Sequence, residues 1–225
     1  MKLSVIVPVY NEEKTIAEVL NKLLAVKEVK EVVVVNDGST DKTKKILTRL
    51  QHRKLRTFHK PNGGKGSAIR HALQHLTGDY VLIQDADLEY DPADISVLTA
   101  PIKEHKTEVV YGSRFLGSHS NLLYWHRKGN EFLNFLVNIL YNTTLSDMET
   151  CYKIMPTDLL KKINITSQKF DIEPEITCKL LKSGINIYEV PISYVGRDFS
   201  AGKKITWRDG IDALKVIISL RWKQL

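Results

Sequence analysis

Four consecutive valines, Val32 to Val35, stand between Glu31 and Asn36. Their β-branched side chains favour extended backbone, and apolar groups point to both faces of the strand. A strand of this kind needs cover above and below. That is the situation of a parallel sheet with helices on each side. The run stops at Asp37-Gly38-Ser39-Thr40-Asp41, which is turn chemistry leading into a helix over Lys42 to Leu50.

The neighbouring segments repeat this rhythm. Leu3 to Val9 reads as a buried strand ending at Tyr10-Asn11-Glu12, with Asn11 expected to cap the next helix. Ile16, Val19, Leu20, Leu23 and Leu24 recur at helical spacing. Leu55 to His59 and Tyr80 to Gln84 are further strands, ending near Asn62-Gly63-Gly64-Lys65-Gly66 and at Asp85-Ala86-Asp87. Pro92 opens a helix reaching about Lys103, and Glu108 to Tyr111 supplies another strand. Such alternation predicts an α/β fold with right-handed crossovers.

After Gly117 to Asn121, a polar link, the rhythm breaks. Glu131 to Tyr141 reads as a helix interrupted by Asn134 and Asn138. Thr150 to Met155 reads as a strand, and Pro156 to Lys162 and Phe170 to Ser183 as helices. Ile185 to Val195 is strand-like, bent at Pro191. Gly196 to Lys204 is a basic loop before a helix over Trp207 to Trp222. The division expected is one domain over 1–225, with a first half over 1–116, a second over 117–206 and an amphipathic terminal helix over 207–225.

The 225 residues carry a net charge of +7. That excess suits anionic partners such as nucleotides, pyrophosphates and lipid phosphates, and is equally compatible with ordinary solubility charge. Cys151 and Cys178 lack zinc spacing and read as core residues of a reducing compartment. The first residues resemble a strand rather than a signal peptide, and no apolar stretch approaches the roughly 20 residues that span a bilayer. These features predict a cytoplasmic body able to touch a membrane.

In an open parallel sheet, ligands gather beyond the carboxyl ends of the strands. Asp85 and Asp87, one residue apart after a strand, suit a hard divalent cation bridging two phosphates, with Glu89 placed to help. The alternative is an acidic surface turn. Asp37 suits a nucleoside ring or ribose, or caps the following helix. The Gly-rich loop brings backbone and Lys65 to a nucleotide, or simply supplies flexibility; it is no Walker loop. Arg114, Arg127, Arg197, Lys203 and Lys204 form a second anion-binding region or an ordinary basic surface. Asp147 and Glu149 precede the Cys151 strand and are expected to face the cleft, where Asp147 orients the acceptor or the nucleotide end of the site, or else caps a turn. His126 is a surface histidine more readily than a base. A nucleic-acid module would need a basic track with interleaved aromatics, whereas these groups converge on one compact site.

The ordered set resembles family 2 glycosyltransferases of the GT-A fold, in particular the dolichol-phosphate mannose synthase and dolichol-phosphate glucosyltransferase branch. The resemblance lies in Val7-Pro8-Val9-Tyr10-Asn11-Glu12, Val35-Asn36-Asp37-Gly38-Ser39-Thr40-Asp41, Asn62 to Gly66, and Asp85-Ala86-Asp87-Leu88-Glu89-Tyr90-Asp91-Pro92. It continues through Gly112-Ser113-Arg114-Phe115, Leu145 to Lys153, and Gly202-Lys203-Lys204-Ile205. It implies a Rossmann-like mixed sheet flanked by helices and inverting hexose transfer from a UDP- or GDP-sugar. Magnesium or manganese would be the cofactor, and a dolichyl or undecaprenyl phosphate the acceptor. The implied donor-binding residues are Pro8, Tyr10, Glu12, Asp37, Gly64, Lys65, Asp85, Ala86 and Lys203. The implied metal ligands are Asp85, Asp87 and Glu89, and the implied catalytic residues Asp87, Arg114, Asp147 and Arg197. A soluble glycan, glycolipid or small acceptor is the alternative. The last stretch, Gly196 to Leu225, has seven Lys or Arg against three Asp, with Trp207 and Trp222 among its apolar residues. It suits a membrane surface or a homodimer contact as well as packing on the sheet.

Overall fold

The computed structural model describes residues 1–121, 123–197 and 207–223. The strands are β1 (Leu3–Val9), β2 (Val29–Asp37), β3 (Leu55–Lys60), β4 (Tyr80–Ile83), β5 (Val110–Ser113), β6 (His119–Ser120), β7 (Lys153–Pro156), β8 (Tyr188–Pro191) and β9 (Tyr194–Val195). The helices are α1 (Ile16–Ala25), α2 (Thr43–Arg49), α3 (Lys65–Leu73), α4 (Ile95–Lys103), α5 (Tyr124–Tyr141), α6 (Thr157–Lys162), α7 (Ile172–Lys182) and α8 (Trp207–Trp222), with one 3-10 turn at Pro92–Asp94.

Seven strands form one mixed sheet in the order β3-β2-β1-β4-β7-β5-β8. The valine run occupies β2, and Val32 to Val35 are fully buried between the helical layers. At about 1.5–3 kcal/mol per buried aliphatic side chain, this strand anchors the core. β2 pairs in parallel with β1 and β3, and β1 with β4. The chain therefore winds outward from β1 to β3 and returns to the other side of β1 as β4. Right-handed crossovers then put α1 and α2 on one face and α3 on the other. The switch in winding lies between β1 and β4, where a crevice opens at the strand ends. There the loops bearing Tyr10 and Asp85 face each other.

The sheet is mixed, as the resemblance implied, because β7 is antiparallel to both β4 and β5. This strand comes from the second half of the chain yet lies centrally in the sheet. Gln84, just past β4, accepts a hydrogen bond from Tyr152 beside β7 at 2.5 Å. The expected strand over Ile185 to Val195 divides at Pro191 into β8 and β9, and β9 pairs with β6 instead.

Two helix readings change. Asn11 does not cap α1: it takes a left-handed φ of 51° and binds Thr40, and α1 begins after Thr15. Helix α5 begins at Tyr124, well before Glu131. Asn134 and Asn138 do not interrupt it, because their amides leave the helix to bind the 145–148 backbone. A second apolar cluster joins α5, α7 and α8 through Leu133, Val137, Met148, Cys178, Ala213 and Ile217. Both cysteines are buried and free.

Helix α3 starts from Gly64 at φ +91° and packs against the 167–168 backbone. A methyl at Gly66 would strike the Ser167 carbonyl. Gly66→Ala is expected to cost about 1–3 kcal/mol of unfolding free energy, as overpacking against backbone does. A urea titration checks this. An unchanged midpoint would mean that α3 does not rest on that backbone.

Candidate active site

A cavity of about 730 Å³ opens at the C-terminal ends of β1, β2 and β4. Pro8, Tyr10, Glu12, Asp37, Gly64, Lys65, Asp85, Ala86, Asp87, Glu89, Arg114 and Arg197 all line it. The polar groups read from four strand ends are thus brought into one space. Lys203 lies outside the described residues, as do Lys204 and most of the basic loop.

At one end of the cavity, Asp37 is buried at the tip of β2. Its carboxylate accepts hydrogen bonds from Gly63 N at 3.0 Å and Gly64 N at 2.7 Å, and pairs with Lys60. The Gly-rich loop is thereby clamped to β2. Asp37 does not cap α2; Asp41 serves Thr43 at that helix start.

Carboxylates crowd the middle. Asp85 pairs with Lys65 at 2.8 Å, and Lys65 also reaches Glu173 at 3.0 Å. Burial opposes the charge on Asp85, but Lys65 beside it holds the carboxyl below its usual range. Asp87 differs. Burial, then Asp85 and Glu89, push its carboxyl up to about 7 against the pull of Arg197. Arg197 crosses this cluster. Its guanidinium meets Asp87 at 2.7 Å and Glu12 at 3.2 Å, and its backbone N–H donates to Glu89 at 2.9 Å. Tyr194 donates to the other Glu89 oxygen at 2.7 Å.

Arg197 was expected to meet phosphate, and here it stands instead as a cation among carboxylates. Among the described residues, no three His, Cys, Asp or Glu side chains are already gathered for a metal ion. The chemistry of the set nevertheless fits a hard divalent cation. Asp85 and Asp87 share one wall, and their crowding raises the proton affinity of Asp87. Their present partners are the cationic groups that such an ion would replace.

Arg114 marks the far wall. Asp147 grips it through three bonds, to the backbone N–H at 2.9 Å, Nε at 2.7 Å and Nη2 at 2.7 Å. Asp147 is fully buried behind the arginine and does not line the cavity. Its place is to hold Arg114, not to meet an acceptor directly. Arg127 and His126 line the cavity from α5, and Arg127 also pairs with Glu131 at 3.0 Å.

Other residues of this site are poorly visible in sequence. Lys60 and Tyr194 look ordinary there. Glu173 resembles a first-turn helix acid, yet it is buried and held by Lys153 and Lys65. Glu149 lines the cavity, and its Oε1 is shielded from solvent without a hydrogen-bond partner. Burial pushes its carboxyl up to about 7, although Lys153 pulls the other way. Its position before the Cys151 strand was the only sequence signal.

Residues 4–163 match the family described as Glycosyl transferase family 2. The chain belongs to that family. It is 28% identical to glycosyltransferase AglJ of Haloferax volcanii, with 86% of this chain and 63% of that protein covered. It is 28% identical to the low-salt glycan biosynthesis hexosyltransferase Agl6 of the same organism, covering 88% of this chain and 49% of that one. The chain thus spans less than two thirds of these two relatives. An uncharacterized protein of Methanocaldococcus jannaschii is also 28% identical, with 90% and 85% covered.

Among solved structures, glucosyl-3-phosphoglycerate synthase of Mycobacterium tuberculosis, in complex with Mn2+, UDP and glucosyl-3-phosphoglycerate, superposes with a TM-score of 0.76. The identity is 18%, over 97% of this chain and 79% of that one. TarS of S. aureus in complex with UDP-GlcNAc gives 0.66 at 24% identity, over 98% and 66%. The fold of this glycosyltransferase is GT-A.

The raised carboxyl of Glu149 has a consequence for stability. A folded-state value above the ordinary one means that the folded protein holds the proton. Stability is then lost as pH rises from the ordinary carboxylate range through about 7. Glu149→Gln removes that loss. The variant should therefore gain on the parent in thermal unfolding as pH is raised from about 5 to about 8. A constant difference across that range would contradict the assignment.

Proposed function

We propose that this glycosyltransferase moves a hexose from a UDP- or GDP-sugar to a polyprenyl phosphate, with inversion and with a divalent metal. One observation carries the reading: the cavity joins a carboxylate-rich end to an arginine-lined end that opens between two helices with outward apolar faces. The first end suits a metal-bridged nucleoside diphosphate. The second suits an amphiphile with an anionic head.

The apolar faces support the lipid half of the proposal. Along α5, Tyr124, Trp125, Phe132, Phe135 and Ile139 are all exposed. At 100° per residue they fall within an arc of roughly 120°, with Lys128 inside it. Along α8, Trp207, Ile211, Ile218 and Trp222 form an exposed stripe. Tyr141 Oη donates to Ile217 O at 3.0 Å and Arg221 Nε to Leu140 O at 2.8 Å, joining the C-terminal ends of the two helices. Their N-terminal residues Leu123, Trp125 and Trp207 line the cavity instead. The pair is thus parallel, with the cavity mouth between the starting turns. Aromatic residues set among Lys and Arg suit a bilayer interface. A two-fold homodimer through this face would bring two copies each of Lys128, Arg208 and Lys215 into one interface and gather like charge there. That favours an anionic lipid surface over a second subunit. Among the described residues, no helix is long and apolar enough to cross a membrane.

The residues divide the work as follows. Asp37 and the clamped Gly-rich loop take the nucleoside, and residues 1–116 form the donor side. Asp85 and Asp87 hold the metal, with Glu89 nearby. When bound, the metal withdraws charge from the departing diphosphate. Arg197, released from the carboxylates, turns to phosphate. Arg114, held rigid by Asp147, and Arg127 take the acceptor phosphate. An oxygen of that phosphate attacks the anomeric carbon. The bond from that carbon to the diphosphate breaks, and the nucleoside diphosphate leaves with the electron pair. The attacking oxygen is already anionic, so no strong protein base is required. Orientation and charge stabilisation supply the rate.

Asp87→Ala should leave the melting temperature within a few degrees of the parent while lowering metal-dependent transfer by at least about 100-fold. The assay crosses UDP- and GDP-hexoses with short-chain polyprenyl phosphates and with 3-phosphoglycerate, under Mn2+ and Mg2+. Transfer to the polyprenyl phosphates is expected. Parent-like turnover in the variant would contradict the metal assignment. Transfer only to 3-phosphoglycerate would replace the lipid acceptor with a soluble one.

A further inference from the structure

Resting on the hexosyl-donor reading above, we propose that Glu149 is the hexose-recognition residue of the site, accepting hydrogen bonds from donor sugar hydroxyls. The case begins with an imbalance of partners. The cations that Glu149 could pair with are Lys65 and Arg114, which line the cavity, and Lys153, which is fully buried behind it, and each is committed. Lys65 pairs with Asp85 and Glu173. Lys153 pairs with Glu173 and donates to Thr150 O at 2.6 Å. Arg114 is bound bidentately by Asp147. Four carboxylates share three cations, and Glu149 is the one left over.

Its Oε1 is therefore a shielded acceptor with no partner, on a residue that faces the cavity. A buried polar atom left in this state costs free energy, of a size that a bound donor group recovers. The chemistry of the missing partner follows by exclusion. A phosphate brings chiefly acceptor oxygens and cannot satisfy an acceptor. A second cation would need more acidic oxygens, but those of Asp147 and Glu173 are engaged by Arg114, Lys65 and Lys153. An apolar chain would leave the atom unsatisfied. A neutral, hydroxyl-bearing group fits, and the pyranose ring is the hydroxyl-bearing part of the proposed substrates that carries the reacting carbon.

The position agrees. Asp85 and its partner Lys65 line the cavity together with Glu149, Glu173 and Cys151. Cys151 is two residues from Glu149, and its backbone N–H is fixed by Tyr90 Oη at 3.1 Å. Cys151 Sγ approaches Ile83 O at the end of β4, two residues before Asp85. The Glu149 turn is thus anchored to the strand that carries the metal-binding pair. A sugar extending from a diphosphate held at Asp85 enters the same cavity that Glu149 lines. A site built to accept from a hydroxyl discriminates strongly against a sugar that presents it in the wrong direction.

The test compares nucleotide with nucleotide-sugar in Glu149→Leu and Glu149→Gln. Affinities for UDP, UDP-glucose, GDP and GDP-mannose are measured by calorimetry with Mn2+, and UDP-galactose is compared with UDP-glucose. In the leucine variant, the ratio of nucleotide-sugar to nucleotide dissociation constants is expected to rise about tenfold or more. Affinity for the nucleotide alone should hold. The glutamine variant keeps an amide oxygen and should restore part of the ratio, while discrimination between glucose and its C4 epimer galactose on UDP narrows. Should the leucine variant not fold, the glutamine variant carries the same comparison with a smaller change. An unchanged ratio and unchanged epimer preference in the variants would overturn the role of Glu149. A parent protein that binds none of the four compounds would instead overturn the donor reading on which the inference rests.

Discussion

Glu12, Asp85, Asp87 and Glu89 are held within one cavity by positive charge. Lys65 answers Asp85, and Arg197 answers the other three. Removing that charge leaves buried like charges facing one another; burial first, then Asp85 and Glu89, push the carboxyl of Asp87 up to about 7 even with Arg197 present. The sheet makes the crowding unavoidable. β1 and β4 are adjacent and parallel, so the loops that follow them must emerge side by side. An arrangement that repels itself is useful when an incoming cation relieves it. On the proposed reading Arg197 is the resident counter-charge, in place of which Asp85 and Asp87 would hold a divalent ion.

The second half of the chain gives this centre its walls. β7 enters the sheet antiparallel between β4 and β5, which brings Glu149 and Cys151 against the end of β4. The same insertion places Asp147 behind Arg114 and fixes the arginine in a single direction. Helices α5 and α8 then extend the arginine end of the cavity into an aromatic outer surface. On the proposed reading, donor chemistry and acceptor access come from different halves of the sequence, joined by one strand.

The donor side was legible in the sequence because its signal is local. An apolar run sets a buried strand, and the polar residues that stop it mark the strand end. Asp37, Lys65, Asp85 and Asp87 were all found in this way, and the structure brings them into one cavity. The walls were less legible, because they depend on partners far away in the chain. Glu89 binds Tyr194 and the Arg197 backbone across more than 100 residues. Asn134 looked like a helix interruption because its amide partner, the 146–148 backbone, cannot be seen from spacing. Asp147 was read as facing the cleft, since its neighbour Glu149 and it differ only in which one Arg114 claims. Glu149 was noticed only by position, because an unsatisfied acceptor is a property of packing.

The central claim is that one divalent ion and one nucleoside diphosphate share the carboxylate-rich end of the cavity. Binding of Mn2+, followed by the loss of its free-ion paramagnetic resonance signal, tests it directly when titrated with and without UDP or GDP. The account predicts that one of these nucleotides tightens Mn2+ binding at least about tenfold, and that Mn2+ tightens that nucleotide by the same factor. Ion and nucleotide binding that are independent of each other, or absent, would contradict it.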